Sequence, residues 1–172
     1  MPQSAEGFLA LATRQLERSS IALRPAGEGD TALVAAIYAC TREEELRQVP
    51  WDAAQKMAFT DWQSQQQEQH YAAHYPRAER LIVMLEQPIG RIYVDTTPRE
   101  VRLMDVTLLP EHRNQGVGSR LMEAFLAYAD GLGRQSSLHV EPFNPAKRMY
   151  ERLGFRVVET RGLYEFMVRE PS

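Results

Sequence analysis

The run Leu108-Leu109-Pro110-Glu111-His112-Arg113-Asn114-Gln115-Gly116-Val117-Gly118-Ser119 holds the residues most able to do chemistry. It sets Arg113 and two glycines between the end of an expected strand and the start of an expected helix. Backbone N–H groups and the positive end of the helix then converge on one point, which suits an anion. Gly116 and Gly118 permit the close approach and the unusual φ values of a phosphate cradle. Arg113 and Arg120 add charge-assisted contacts suited to a pyrophosphate. A P-loop is excluded, because no Gly-Lys-Ser or Gly-Lys-Thr follows at the required spacing. A dinucleotide fingerprint could begin at Gly116-Val117-Gly118, with Glu141 placed as a ribose ligand. Its third glycine position is Leu121, however, and the hairpin strands before the loop are foreign to that unit. A glycine-rich turn without a ligand is the remaining alternative.

A second group lies about 25 residues further on, at Asn144-Pro145-Ala146-Lys147-Arg148-Met149-Tyr150-Glu151-Arg152-Leu153-Gly154-Phe155. Asn144 reads as an N-cap, Pro145 as the first helical residue and Gly154 as the residue that ends the helix. On pattern alone, Tyr150 is a packed aromatic with a satisfied hydroxyl. Asp105, His139 and Glu141 fall on two expected central strands and are the candidates for a general base. An imidazole, with its pKa of roughly 6.5, matches that task best near neutrality. The structural alternatives are a hydrogen-bonded strand histidine and a strand-end Asp105 bound to backbone or to Arg102. His70 and His74 are four apart, but no glutamate follows His70 as a zinc-protease pattern requires, so no metal site is expected. Cys40, the only cysteine, excludes an internal disulfide and reads as a small core residue remote from every motif.

The elements that must position these groups follow from periodicity. Residues 1–20 read as a mobile extension, with a short amphipathic helix over Phe8 to Leu16 that nothing fixes to the rest; the domain proper spans 21–172. A short strand over Ile21–Arg24 is followed by a turn and by a helix over Thr31–Cys40 capped by Asp30. Glu43 to Glu45 read as a second short helix or a loop. A further helix runs from near Asp52 toward Tyr75, with Met57, Phe59 and Trp62 at near-helical spacing. Arg80–Leu85, Ile89–Thr96 and Val101–Leu109 form an antiparallel meander, in which alternation puts Leu103, Asp105 and Thr107 on one face. Helix (Gly116–Asp130), strand (Ser136–Glu141), helix (Asn144–Leu153) and two last strands (Phe155–Glu159, Leu163–Val168) complete the chain. One strand–helix–strand step demands a parallel crossover, so the fold class is α/β: a single domain with a mixed, mostly antiparallel sheet flanked by helices.

The arrangement Leu108-x-Pro110-x-x-Arg113-x-x-Gly116-x-Gly118, followed by Asn144-Pro145-Ala146-x-x-x-Tyr150-x-x-Leu153-Gly154-Phe155, resembles the GNAT superfamily of acyl-CoA-dependent N-acyltransferases. The resemblance covers Ile21 to Val168 in element order, with the specific motifs confined to Val101–Phe155. It implies that acetyl-CoA is the cosubstrate. Leu108, Leu109, Arg113, Asn114, Gln115, Gly116, Val117, Gly118, Ser119, Arg120, Asn144 and Lys147 would bind it. The pyrophosphate would lie on the loop and the pantetheine arm beside the strand ending at Leu108, where that strand splays from the Ser136–Glu141 strand. Lys147, Arg148 and Arg152 approach the adenosine 3′-phosphate or merely cover the last helix. Tyr150 would protonate the departing thiolate, its pKa of roughly 10 against roughly 8.5 for a thiol making a phenol a feasible donor. Backbone N–H near Leu108 would stabilise the thioester oxygen. In related enzymes a glutamate often stands where His139 stands here, so Asp105, His139 and Glu141 all stay open as the base. Glu43, Glu44, Glu45 and Trp51 are the places to look for acceptor recognition. The rival reading is a non-catalytic acyl-CoA sensor or partner-binding module.

Composition limits the partners. With 172 residues, 44% of them hydrophobic and 25% charged, the chain has the make-up of one ordinary globular unit. A net charge of −3 gives no broad basic field for nucleic acid. The longest apolar run, Ala32 to Cys40, is too short to span a bilayer, and the N-terminus lacks a secretory pattern, so a cytoplasmic protein is expected. The expected partner is a small-molecule or peptide amine, and similar proteins are often homodimers.

Overall fold

The aliphatic runs after Pro76 pair as expected. In the computed structural model, which describes residues 6–172, β1 (Ala22–Pro25), β2 (Glu79–Met84), β3 (Pro88–Thr96) and β4 (Glu100–Leu108) form an antiparallel meander. The chain then crosses through α4 (Val117–Leu132) to β5 (Gln135–Val140), which lies parallel to β4. After α5 (Ala146–Arg152), β6 (Arg156–Arg161) and β7 (Tyr164–Arg169) close a mixed seven-stranded sheet of order β1-β2-β3-β4-β5-β7-β6. Preceding these are α1 (Phe8–Gln15), before β1, and α2 (Thr31–Arg47) and α3 (Ala53–His74), between β1 and β2. The principal core unites α1, α4 and one sheet face through Phe8, Leu121, Phe125, Ile92, Val94 and Leu138. Helices α2 and α3 pack together, and α2 reaches β3 and β4.

Four expectations are corrected. The N-terminal helix is not a loose extension: Phe8 and Ala12 are fully buried, and Phe8 meets Phe125 and Tyr128 edge-on. The Glu79 carboxylate accepts the N–H groups of Phe8 and Leu9, both at 2.9 Å, so it satisfies two of the amides that a helix start leaves orphaned. Residues 1–5 of that extension lie outside the described residues. Second, α2 does not stop at Cys40; no Gly or Pro interrupts the run to Arg47, and Glu43–Glu45 belong to it. Third, Asp30 does not cap α2 through its side chain. Its carboxylate binds Arg24 at 2.8 and 2.9 Å and accepts the Gly27 N–H, contacts that draw its pKa down to about 2. Fourth, Leu103 does not share a face with Asp105. Tyr93 pairs with Asp105 while Val94 pairs with Leu103, which leaves Met104 as an extra residue, a β-bulge. The bulge resets the alternation, so Leu103 stays in the core while Asp105 and Thr107 turn toward α3. In α3 itself, Met57 and Trp62 supplied the periodic signal but are exposed, and Thr60 and Ser64 face inward.

Gly90 on β3 is crossed closely by β4. A Cβ there would lie 2.2 Å from the Thr107 carbonyl oxygen and 3.0 Å from Leu108 Cα, both backbone atoms that move only with the strand. Gly90→Ala is therefore expected to destabilise the fold by about 1–3 kcal/mol, the usual cost of overpacking. Urea denaturation of the variant checks this.

Candidate active site

Pairing between β4 and β5 runs from Glu100–Gln135 to Leu103–Leu138 and then stops, although β4 continues to Leu108 and β5 to Val140. The two strands therefore part at the bulge. The Leu109 N–H is taken by the Ile89 carbonyl at 2.8 Å, which fixes the alternation along the end of β4. By that alternation the Val106 and Leu108 amides point away from β3, into the split. Leu109 itself contributes no free amide.

The loop after β4 begins with a 3₁₀ turn at Pro110–His112 and reaches α4 through two left-handed residues, Asn114 (φ 59°) and Gly116 (φ 85°). Gly118, expected to need an unusual φ, lies instead inside the first turn of α4 with ordinary helical geometry. The first bond of that helix is Arg120 N–H to the Gly116 carbonyl, so the Val117, Gly118 and Ser119 amides have no acceptor within it. A Cβ on Gly116 or Gly118 would meet nothing within 4 Å, leaving an open cradle of N–H donors at the positive helix end. That arrangement fits a diphosphate. The Arg113 side chain does not project into the cradle: its Nε donates to the Leu108 carbonyl at 2.9 Å, and an Nη lies 3.5 Å from Cys40 Sγ. Gln115 likewise bonds back to the Glu111 carbonyl, while Arg120 is exposed. Cys40, far from every motif in sequence, thus sits against the loop. Burial pushes its thiol pKa up, and the thiol donates to the Ile37 carbonyl.

Helix α5 starts one residue later than expected, at Ala146 with Pro145 at the cap; Asn144 still braces the start, its Oδ1 accepting the Ala146 N–H at 2.9 Å and its carbonyl accepting that of Lys147. Gly154 (φ 99°) turns the chain, so that the Phe155 N–H reaches the Tyr150 carbonyl. The Lys147 ammonium is held by Glu165 of β7 at 2.9 Å, and Arg148 and Arg152 are exposed.

Beyond the split opens a cleft of about 730 Å³ in which Asp105, His139, Glu141 and Tyr150 meet. Tyr150 is 7% exposed and edge-on to Phe155. Burial first, and the charge of Asp105 second, push its pKa up to about 12. Asp105 forms an ion pair with Arg91 at 2.5 Å and accepts the Thr107 hydroxyl at 2.8 Å; its counter-ion is Arg91, not the expected Arg102. His139 stacks obliquely on Phe166, and its Nε2 lies 3.3 Å from an Nη of Arg161. A guanidinium can only donate, so Nε2 is the acceptor and the ring proton sits on Nδ1. Partial burial, with help from Arg102 and Arg161, lowers the pKa of His139, which keeps the ring neutral.

Arg42, Arg91, Arg102 and Arg161 complete the walls with Tyr38, Tyr71 and Tyr75, and sequence reasoning singled out none of them as a site residue. Arg91 left a signal: a charge midway along the aliphatic run Ile89–Val94 needs buried partners. It is 1% exposed and is held by Asp105, by Gln67 at 2.8 Å and by Glu68 at 3.4 Å. Of the suggested acceptor residues, Glu45 touches the cleft wall by binding Arg42, whereas Trp51 packs on Phe59 elsewhere. A larger groove of about 1450 Å³ between α2 and α3 holds none of the four titratable groups gathered in the cleft.

Comparison with known proteins agrees with this architecture. Among the solved structures, PaiA N-acetyltransferase from Thermoplasma acidophilum, described as a complex with coenzyme A, superposes with a TM-score of 0.66. It is 15% identical, with 87% of this chain and 98% of that chain covered. An acetyltransferase from Thermus thermophilus gives a TM-score of 0.63 at 22% identity, over 87% and 96% of the two chains. Ard1 from Thermoplasma volcanium gives 0.61 at 18% identity, over 89% and 99%. These likenesses show the fold. None of the curated protein sequences matches. The model of the acetyltransferase (GNAT) family matches residues 36–155, which include the split strands, the amide cradle and Tyr150, and the chain belongs to that family.

Proposed function

We infer that the protein is an N-acetyltransferase that moves an acetyl group from acetyl-CoA to a primary amine by direct attack within a ternary complex. One observation carries this reading: the gap between β4 and β5 joins an open amide cradle at Gly116–Ser119 to a cleft holding Tyr150. When bound, acetyl-CoA supplies the thioester carbonyl and the thiolate leaving group. The chain supplies the rest. The cradle takes the diphosphate, and Asn114, Gln115 and Arg120 flank it. Arg113 braces the end of β4, and the outward amides of Val106 and Leu108 pair with the pantetheine arm and face the charge that develops on the thioester oxygen. Asn144 and Lys147 border the arm from α5. Tyr150 holds the proton that the departing sulfur takes. Asp105 and His139 line the same cleft with their acceptor atoms engaged by Arg91, Thr107 and Arg161, so both shape the site and its charge.

The thiol protonated by burial at Cys40 is a poor nucleophile, which favours direct transfer over a covalent acyl-enzyme. The test is thiol release from acetyl-CoA across a panel of spermidine, L-lysine, an aminoglycoside and a short peptide with a free N-terminus. Amine-dependent release is expected, with no stable adduct on Cys40. Coenzyme binding without release for any amine would make the protein a sensor, and absence of coenzyme binding would remove both readings.

A further inference from the structure

An amine is a nucleophile only after its ammonium form gives up a proton, so the cleft needs a free acceptor atom. Asp105 has its oxygens taken by Arg91 and Thr107, and His139 receives an Arg161 N–H at Nε2. Glu141, just past the end of β5 and half-buried, differs. Among the described residues its nearest ionic partner is Arg42, at 3.9 Å, beyond hydrogen-bond reach, and its carboxylate accepts no protein hydrogen bond. Arg42 itself is drawn off by Tyr38 Oη at 3.1 Å and by the exposed Glu45 at 3.0 Å.

On the reading of the protein as an amine acetyltransferase, we propose that Glu141 receives the acceptor's ammonium group and takes its first proton. The free amine then forms the N–C bond to the thioester carbonyl. As the C–S bond breaks, sulfur takes the Tyr150 proton, and the Tyr150 oxygen recovers a proton from the newly bonded nitrogen. Glu141 returns its own proton to solvent, so the turnover releases one thiol, one amide and one proton. The charged and titratable groups that line the cleft with Glu141 are Arg42 and Tyr38 from α2, His70 and Tyr71 from α3, Tyr75 just past its end, and Arg91 from β3. Arg102 and Asp105 join them from β4, Tyr150 from α5, Arg161 and Tyr164 from the last hairpin, and His139 from β5. Each of these arginines has a carboxylate partner, Arg42 in Glu45, Arg91 in Asp105 and Glu68, Arg102 in Glu100 and Arg161 in Glu159, so among the described residues Glu141 is the cleft carboxylate with no cation inside hydrogen-bond reach and the one open to an incoming ammonium.

The experiment compares the pH dependence of kcat/KM for wild type, Glu141→Gln and Glu141→Asp, using the amine of the panel that releases thiol fastest. Glu141→Gln is expected to lower kcat/KM about 100-fold at pH 7. Its acid limb should move toward the ammonium's own pKa, so that the deficit falls below about 10-fold by pH 9.5, with KM for acetyl-CoA unchanged. Glu141→Asp should restore part of the activity. A Glu141→Gln profile that keeps the wild-type shape, or a change confined to KM, overturns the role of Glu141 while leaving the acetyltransferase reading intact. A wild-type protein that releases no thiol with any amine overturns that reading, and this role with it.

Discussion

Tyr150→Phe is expected to lower kcat by about 10²–10⁴-fold, the usual contribution of a positioned general acid, while leaving the affinity for coenzyme A within about 2-fold. The phenol is held in the protonated state by burial and by the nearby Asp105 charge, which together push its pKa up to about 12. The direction matters. A raised pKa keeps the donor protonated through the whole neutral and mildly alkaline range, so wild-type activity should show no fall traceable to Tyr150 below about pH 10. A phenol this weak as an acid gives up its proton to a thiolate only if its oxygen is reprotonated in the same event, and the nitrogen that has just bonded to carbon is acidic enough to do so. Loss of the hydroxyl should not unfold the protein, because the ring and its edge contact with Phe155 survive and the hydroxyl has no protein partner among the described residues. Steady-state kinetics, calorimetric titration with coenzyme A and urea denaturation read the three quantities separately. Unchanged kcat would remove Tyr150 from proton transfer.

The chemistry-bearing loop and α5 were legible in the sequence because their signals are local. Pro110, Gly116 and Gly118 mark a loop and a helix start within a dozen residues, and Asn144-Pro145 with Gly154 brackets α5 by the same means. The parallel crossover was legible too, since a strand, a helix and a strand allow little else. What stayed hidden depends on contacts distant in the chain. Glu79, 71 residues from Phe8, anchors α1, and nothing near Phe8 announces it. The bulge at Met104 leaves the alternating pattern of residues 101–108 looking regular, because an extra apolar residue in an apolar run carries no mark. Its effect is nevertheless large: it turns Asp105 out of the core face and brings it under Arg91. The cleft arginines were missed for a related reason. They come from α2, β3, β4 and β6, and only the folded sheet brings them together.

Arg91→Leu is expected to cost about 3–5 kcal/mol of stability, the range for a buried ion pair that loses one partner. Arg91 is 1% exposed and spans three elements: Asp105 on β4 beside its own strand β3, and Gln67 and Glu68 on α3. Its guanidinium also lies over the Tyr93 ring, 4.9 Å from the centroid, while Tyr93 donates to Glu68. Leucine leaves the Asp105 and Glu68 carboxylates facing each other across a poorly hydrated gap. Both the fastening of α3 to the sheet and the shape of the Tyr150 cleft depend on that cation. Asp105→Asn should cost less, because the amide oxygen still accepts from Arg91 while the amide N–H can donate to the Thr107 hydroxyl, and Glu68 remains to balance the charge. The decisive measurement is a double-mutant cycle. If the pair acts as a unit, Arg91→Leu combined with Asp105→Leu will be more stable than the sum of the single losses by more than about 1.5 kcal/mol, since the double variant no longer strands the Asp105 charge, and Glu68 keeps Arg80. Additive losses in urea denaturation would mean that Arg91 stabilises the fold through α3 alone and that Asp105 is free to act on the acceptor.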